Sequence, residues 1–355
     1  MSGKKVCIIG LMSGTSLDGL DIVYVEFDTA DYKNFLIHHS ETKTYPKVWK
    51  EKLATAIHFS KEELEQIDIE YGHLLASYVN GFVKENNIVD IDFIASHGHT
   101  VLHQPDNGIT LQIGNGQVLA NETSIKVVCD FRTQDVALGG QGAPLVPIGD
   151  ALLFQQYDAC LNLGGFANVS FKEKEKRIAF DICPVNIVMN HYVRKLGLDF
   201  DDKGAIASSG QINDMLLKEL NQLAYYQKES PKSLGLEWVQ QNIFPLIDAY
   251  QLDVKTILRT FIEHIAVQIT TSTKNNKNIL ITGGGTFNDF LIDRIRFFTI
   301  SELVIPNAQI VDYKEALIFA FLGLLRVDNQ VNCLSSVTGA KHDHSSGELF
   351  TPKKS

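Results

Sequence analysis

The cysteines of this chain offer no pairing pattern. There are five, Cys7, Cys129, Cys160, Cys183 and Cys333, an odd number spread over the whole length with no CxxC pair. That spacing suggests neither a disulfide framework nor a thiolate zinc site, and a reducing cytoplasm is the default setting. Long apolar runs are missing too. The longest, Ala316 to Leu325, is about half a membrane span. The opening Met-Ser-Gly-Lys-Lys leads into a short apolar run broken at Gly10, which reads as a strand and not as a signal peptide. A basic excess is also absent. Lys and Arg total 32 against 42 Asp and Glu, a formal net charge of −10, which speaks against a duplex nucleic-acid binder, and with no apolar run long enough for a bilayer no membrane partner is expected either. It leaves small anions open, because a few backbone amides hold a phosphate on an acidic protein.

What is present is an ordinary globular balance, 45% hydrophobic and 21% charged, which excludes disorder, collagen-like repeats and a pure coiled coil. At 355 residues the chain is long for one domain, and we expect two lobes, residues 1–150 and 151–355. Val6 to Ile9, a Gly/Ser/Thr turn and Ile22 to Phe27 read as strand, turn, strand. A helical stretch follows over about Lys47 to Asn86. Short strands are expected at Phe93 to Ala95, ending on Ser96-His97-Gly98, and at Lys126 to Cys129. The opening pattern recurs at Ala159 to Leu163, Gly164-Gly165 and Asn168 to Phe171. A third strand, Arg177 to Phe180, ends on Asp181. Asn278 to Ile281 leads into Thr282-Gly283-Gly284-Gly285 and a helix. A final apolar helix runs from about Lys314 to Arg326, with a polar surface tail after Asn329. The spacing predicts a duplicated α/β fold.

The glycine turns are the first candidates for chemistry. In Gly10 to Asp21, glycines let a backbone approach a ligand, and Ser13, Thr15 and Ser16 add hydroxyls. Asp18 and Asp21 suit a hydrated magnesium ion, which takes one or two carboxylates and keeps waters. Gly14 and Gly19 have part of the spacing of a P-loop, but Leu20-Asp21 follows instead of Lys-Ser/Thr, and the context is a hairpin. An ordinary turn is the plain alternative. The Gly283-Gly284-Gly285 turn suits a nucleotide laid flat on backbone, and it lacks the GxGxxG of a Rossmann site. Asp181, at the end of an apolar strand, is well placed for a general base, although a strand-end aspartate is more often a cap or turn residue. The histidine-dense Ser96 to His103 shows no HExxH pattern, so hydrogen bonding to substrate or loop is favoured over a metal. Arg132 is a candidate for a bidentate grip on a carboxylate, or for pairing with a neighbouring acid. Glu315 opens the last helix, where its plain role is with the helix dipole.

Two glycine hairpins with a strand-GGG-helix in the second half resemble the sugar kinase, heat-shock cognate and actin superfamily. Met12 to Asp21, Ser96 to Thr100, Asp130-Phe131-Arg132, Gly139 to Pro147, Leu161 to Asn168, Pro231-Lys232-Ser233, Gly283 to Gly285, Glu315-Ala316 and Val337 to Ala340 narrow this further. In that order they resemble the anhydro-N-acetylmuramic acid kinase family, over Ile9 to Phe350. The resemblance implies two ribonuclease-H-like lobes around a nucleotide cleft, and a cytoplasmic enzyme of peptidoglycan recycling. Such an enzyme would open the internal 1,6-anhydro bridge of the amino sugar and phosphorylate the released oxygen with ATP and Mg²⁺.

By the same resemblance Asp181 is the base, and Gly14, Thr15, Ser16, Leu17, Asp18, Gly19, Leu20 and Asp21 form the first phosphate hairpin. Gly164 and Gly165 form the second, and Gly283, Gly284 and Gly285 meet the adenosine. Asp21 would place Mg²⁺ through water. His97, Arg132, Asn186 and Glu315 would face the sugar, Arg132 toward its lactyl carboxylate. A homodimer is compatible with the resemblance. The chain departs from the family at Ile182, Cys183 and Val185, where Phe180-Asp181 is usually followed by Thr-Gly-Pro-Gly/Ala-Asn, and at Leu234, usually Thr. These departures keep two alternatives open: a kinase of the same fold for a different sugar, and a non-catalytic ATP-binding paralogue.

Overall fold

The structure, a computed structural model, describes residues 3–14 and 17–353. The chain divides into two compact units, Met1–Phe154 with Tyr313–Ser355, and Gln155–Asp312. The first expected boundary lies close to the observed one. The residues from Tyr313 onward differ from expectation, because they pack with the first unit and not with the second.

The reason lies in the sheet of the first unit. Strands β1 (Lys5–Ser13), β2 (Gly19–Asp28), β3 (Phe35–Thr44), β4 (Phe93–Gln104), β5 (Ile109–Ile113) and β6 (Val127–Cys129) form it. Its order runs β3-β2-β1-β4-β6, with β5 paired to β4. β1 and β2 are an antiparallel hairpin, as their β-branched runs around a glycine turn predict, and β4 runs parallel to β1. Side chains alternate across a strand. Ile9 and Leu11 therefore pack with Leu75, Val79 and Phe82 of the helix Lys61–Glu85. That helix starts on a capping box, Ser60 with Glu63. Gly10 faces the other way. A Cβ there would stand 2.2 Å from the Ala316 carbonyl, and one at Gly323 would stand 2.6 Å from Ala95 Cβ. Two glycines thus let the helix Ala308–Val327 lie directly on β1 and β4, which ties the end of the chain to its beginning.

The second unit repeats the order. Strands β7 (Ala159–Leu163), β8 (Phe166–Glu173), β9 (Lys176–Pro184), β10 (Asn278–Thr282) and β11 (Glu302–Val304) are arranged β9-β8-β7-β10-β11. Again an antiparallel hairpin is followed by a parallel strand beside its first member. The helix Val254–Thr273, capped by Asp253, buries Ile257, Leu258, Phe261, Ile262, Ile265 and Ile269 in the apolar core of this unit. The shared order with one antiparallel central neighbour is the ribonuclease-H-like pattern, present twice.

Four local expectations differ from the structure. The last long helix begins at Ala308 and not near Lys314, which puts Glu315 in its interior, away from the N-terminal end of the dipole. β4 continues through Ser96-His97-Gly98 to Gln104, since Ser96, His97 and His99 are buried with partners inside the protein. Asp181 lies within β9 and not at its end. The polar tail is not a surface feature: Asn332, Cys333, His344 and Ser346 are buried, and β12 (Glu348–Phe350) pairs antiparallel with β6. Hydrogen bonds make that burial tolerable. Asn332 Nδ2 donates to the Leu322 and Ser346 carbonyls, and Ser346 Oγ donates to that of Phe131.

Candidate active site

In the first unit the glycine-rich tip joins β1 to β2. Thr15 and Ser16 lie outside the described residues. Gly14 ends the tip on one side, and Leu17 follows with a φ of 59°. Asp18 is exposed, whereas Gly19 and Leu20 are buried. A Cβ at Gly19 would stand 2.6 Å from the Lys43 carbonyl, so this glycine serves the pairing of β2 with β3. Leu20 belongs to the apolar core, which leaves only its backbone for a ligand. Ser13 Oγ is committed inside the protein, to Tyr45 OH at 2.8 Å and His99 Nδ1 at 3.0 Å. Asp21 is half-buried on β2, and its Oδ1 accepts from Thr42 Oγ1 at 2.6 Å.

Arg132 follows β6 and is held from two sides. Its Nε and Nη2 lie 3.0 and 2.9 Å from His97 Nε2, and its Nη1 donates to the Gly142 carbonyl at 2.7 Å. His97 Nδ1 lies 2.9 Å from the Gly98 carbonyl. A carbonyl only accepts, so the proton is on Nδ1 and Nε2 is the acceptor for Arg132. Burial and the Arg132 charge hold His97 well below the ordinary imidazole range, which keeps it neutral. His97 therefore positions Arg132 and does not itself face solvent. A guanidinium has five N–H groups in a rigid fork, and these contacts use three, leaving a pair for a carboxylate. Burial lowers the Arg132 pKa to about 10, against the pull of Glu315. Glu315 is solvent-exposed yet densely surrounded. That crowding raises its pKa, Arg132 and Lys314 lower it, and Asp21 raises it. Asp21, Arg132 and Glu315 are thus linked electrostatically.

In the second unit Asp181 sits at a bulge. Asn168 pairs with Asp181 and Ala167 with Cys183, so Ile182 is the extra residue. Bulges re-aim side chains next to functional sites. Asp181 is fixed from three directions. Its Oδ2 accepts from the Leu234 backbone N–H at 2.9 Å, its own N–H donates to the Lys232 carbonyl, and its carbonyl accepts from Tyr225 OH at 2.6 Å. Burial raises its pKa, and the Leu234 N–H lowers it. None of the side chains of Ile182, Cys183 and Val185 supplies one of these contacts. Ile182, Cys183 and Val185 all pack in the apolar core, with burial pushing the Cys183 thiol up and out of the reactive range. Leu234 serves Asp181 through its backbone, which any residue except proline supplies.

The second glycine turn and the GGG turn meet. Asn186 starts a helix, Asn186–Val193, with its N–H 3.3 Å from the Gly164 carbonyl, and Val185 N–H donates to that of Gly165. A Cβ at Gly283 would stand 2.9 Å from the Leu163 carbonyl, and one at Gly285 would also stand 2.9 Å from it. Gly283 has a φ of 87°, which favours glycine further. Gly284 is different: it is exposed, and a Cβ there would meet nothing. Packing explains its neighbours but not Gly284, which leaves an open backbone face suited to a flat ligand.

Sequence reasoning singled out Asp181, Arg132 and the glycine turns as candidates, and the structure places Asp181 and the second and third glycine turns in one unit and Arg132 with the first glycine turn in the other. Sequence reasoning missed the backbone of Leu234, the hydroxyl of Tyr225 and the partner Thr42, because nothing in their spacing marks them.

A duplicated ribonuclease-H-like fold with a glycine-rich hairpin opening each unit defines the class that contains the sugar kinases. The profile of the anhydro-N-acetylmuramic acid kinase family matches residues 6–352. The anhydro-N-acetylmuramic acid kinase of Saccharophagus degradans is 34% identical, across 98% of this chain and 100% of its own length. That of Aliivibrio fischeri is 35% identical, across 96% and 98%. Among solved structures, component A of the (R)-2-hydroxyglutaryl-CoA dehydratase of Acidaminococcus fermentans is similar more distantly. It shows 10% identity and a TM-score of 0.47 over 89% of this chain and 96% of that one. The chain belongs to the anhydro-N-acetylmuramic acid kinase family, and so is an ATP-dependent sugar kinase of peptidoglycan recycling. Among the described residues, no helix is long and apolar enough to cross a membrane.

Proposed function

We propose that the chain couples hydrolysis of the 1,6-anhydro ring of anhydro-N-acetylmuramic acid to phosphorylation of its six-position oxygen, in the cytoplasm. Asp181 takes a proton from water as that water bonds to the anomeric carbon. The bond from this carbon to the six-position oxygen breaks. The released oxygen attacks the γ-phosphorus of ATP in line, ADP leaves, and N-acetylmuramic acid 6-phosphate results. Phosphoryl transfer needs mainly positioning and charge stabilisation from the protein. Backbone amides around Gly14 and Gly164-Gly165 hold phosphates, and the open face at Gly284 receives the adenosine. Arg132, with its remaining pair of N–H groups, grips the lactyl carboxylate, and Glu315 and Asn186 face the sugar. The hard carboxylate oxygens of Asp21 fit Mg²⁺, which keeps most of its waters, and the ion when bound neutralises phosphate charge.

The observation that carries this reading is the setting of Asp181. A carboxylate at a bulge, with its pKa raised by burial and one oxygen fixed by a backbone N–H, is suited to take a proton from a bound water. Three of the departures, Ile182, Cys183 and Val185, lie in the apolar core, and the fourth, Leu234, holds Asp181 through its backbone N–H, so the substitutions are compatible with the family's sugar. Asp181→Asn is expected to lower turnover by at least about 10²–10⁴-fold, the usual worth of a general base, with ATP binding kept. Coupled-enzyme ADP assays beside calorimetric ATP titration check this, and near-normal turnover in the variant would sink the assignment.

A further inference from the structure

Asp135, Cys333 and His344 are distant in sequence, the first two separated by 198 positions, yet they form one buried cluster in the first unit. Asp135 is 0% exposed, Cys333 1% and His344 5%. Cys333 Sγ stands 3.0 Å from Asp135 Oδ1, and His344 Nε2 stands 3.5 Å from the same oxygen. One ligand atom from each side chain lies within 4.8 Å of the others. An isolated Asx-Cys contact would need no further explanation, but the histidine does.

His344 Nδ1 lies 3.1 Å from the His342 carbonyl, which only accepts, so the Nδ1 carries a proton. In the neutral ring Nε2 is then a bare lone pair. This atom is buried and makes no hydrogen bond, and it faces a carboxylate oxygen. Two lone pairs facing each other in a dry interior repel, unless a proton or a cation lies between them. The Nδ1–H to carbonyl contact is also the arrangement that orients a metal-bound histidine and sets which nitrogen binds.

We infer that Asp135, Cys333 and His344 bind a zinc ion. Thiolate, imidazole and carboxylate are the donors zinc takes, at about 2.3, 2.0 and 2.0–2.2 Å, and tetrahedral corners at those bond lengths are roughly 3.3–3.5 Å apart. The spacings around Asp135 Oδ1 are close to that. Binding releases the Cys333 thiol proton and leaves His344 neutral. Thr338 Oγ1, which now donates to Asp135 Oδ1 at 2.7 Å, is a further oxygen beside the set. The ion would staple the end of the chain to the short helix Thr133–Ala137. It would also secure Gly142, whose N–H donates to Asp135 Oδ2 at 2.7 Å and whose carbonyl holds Arg132. Spacing along the sequence excludes such a site only for adjacent thiolate pairs. Here the fold assembles it from three segments.

The test uses the full chain, made in zinc-supplemented medium and dialysed against metal-free buffer. Expected are about one zinc per chain by elemental analysis and one sulfur among nitrogen and oxygen neighbours in its X-ray absorption spectrum. Cobalt substitution should give a thiolate-to-cobalt charge-transfer band that Cys333→Ser abolishes. His344→Gln should weaken zinc binding by tenfold or more. If the variants do not fold, the absorption spectrum of the unaltered chain decides. A folded chain that holds no zinc, or holds it without sulfur, overturns the inference. So does a His344 ring protonated on both nitrogens by NMR in zinc-saturated protein, which would mean a simple ion pair with Asp135.

Discussion

Asp181 and Arg132 show how little of a side chain's role is set by its own type. Burial raises the Asp181 pKa from its ordinary 3.8, and the Leu234 N–H moderates the rise. The base acts only when ionised. The acid limb of kcat/KM should therefore lie above the usual carboxylate range, with activity falling as pH drops through it. Stability runs the opposite way. A carboxylate with a raised folded pKa contributes stability that is fully present below its unfolded value and is lost as pH rises through the folded one. A pH-rate profile checks the first statement, and an acid limb at or below the ordinary value would contradict it. Arg132 depends on His97, whose neutral Nε2 receives two of its N–H groups. Arg132→Lys loses the fork and should raise KM for the sugar roughly 10–100-fold, the worth of about 1.5–3 kcal/mol in charge-assisted hydrogen bonds. Steady-state kinetics at saturating ATP would show it, and an unchanged KM would remove Arg132 from the sugar site.

At the scale of elements, the glycine turns separate packing from binding. Gly285→Ala puts a methyl 2.8 Å from Leu163 Cβ and should destabilise the fold by about 1–3 kcal/mol. Gly284→Val meets no protein atom at its Cβ, so stability should stay within about 0.5 kcal/mol while KM for ATP rises tenfold or more. Urea denaturation and ATP kinetics on the pair distinguish the two roles. The hairpins were legible in the sequence because β-branched runs end on glycines, and the long helix because Ile67, Tyr71, Leu75 and Val79 recur every fourth residue. β3 was not legible, since much of Phe35–Thr44 is polar and partly exposed. The bulge at Ile182 was hidden for another reason. Register is set by the partner strand β8, which the local pattern of β9 does not reveal. The buried tail was hidden too, because Asn332 and Ser346 satisfy each other through tertiary hydrogen bonds that composition does not report.

For the whole molecule, the repeated strand order explains why residues far apart in the chain share a role. Each unit opens with a hairpin and follows it with a parallel strand. The chain departs from simple duplication at Tyr313, where it returns to the first unit and brings Glu315 into the field of Arg132 and Asp21. Family membership states the class of reaction, and the coupling of ring opening to phosphoryl transfer is the step on which the proposed mechanism turns. The direct test is ADP release from ATP and Mg²⁺ with and without 1,6-anhydro-N-acetylmuramic acid, followed by mass analysis of the sugar. Sugar-dependent ADP and a product heavier by one phosphate and one water are expected. ADP release with an intact anhydro ring, or ATP binding with no sugar-dependent turnover, would contradict the proposed mechanism.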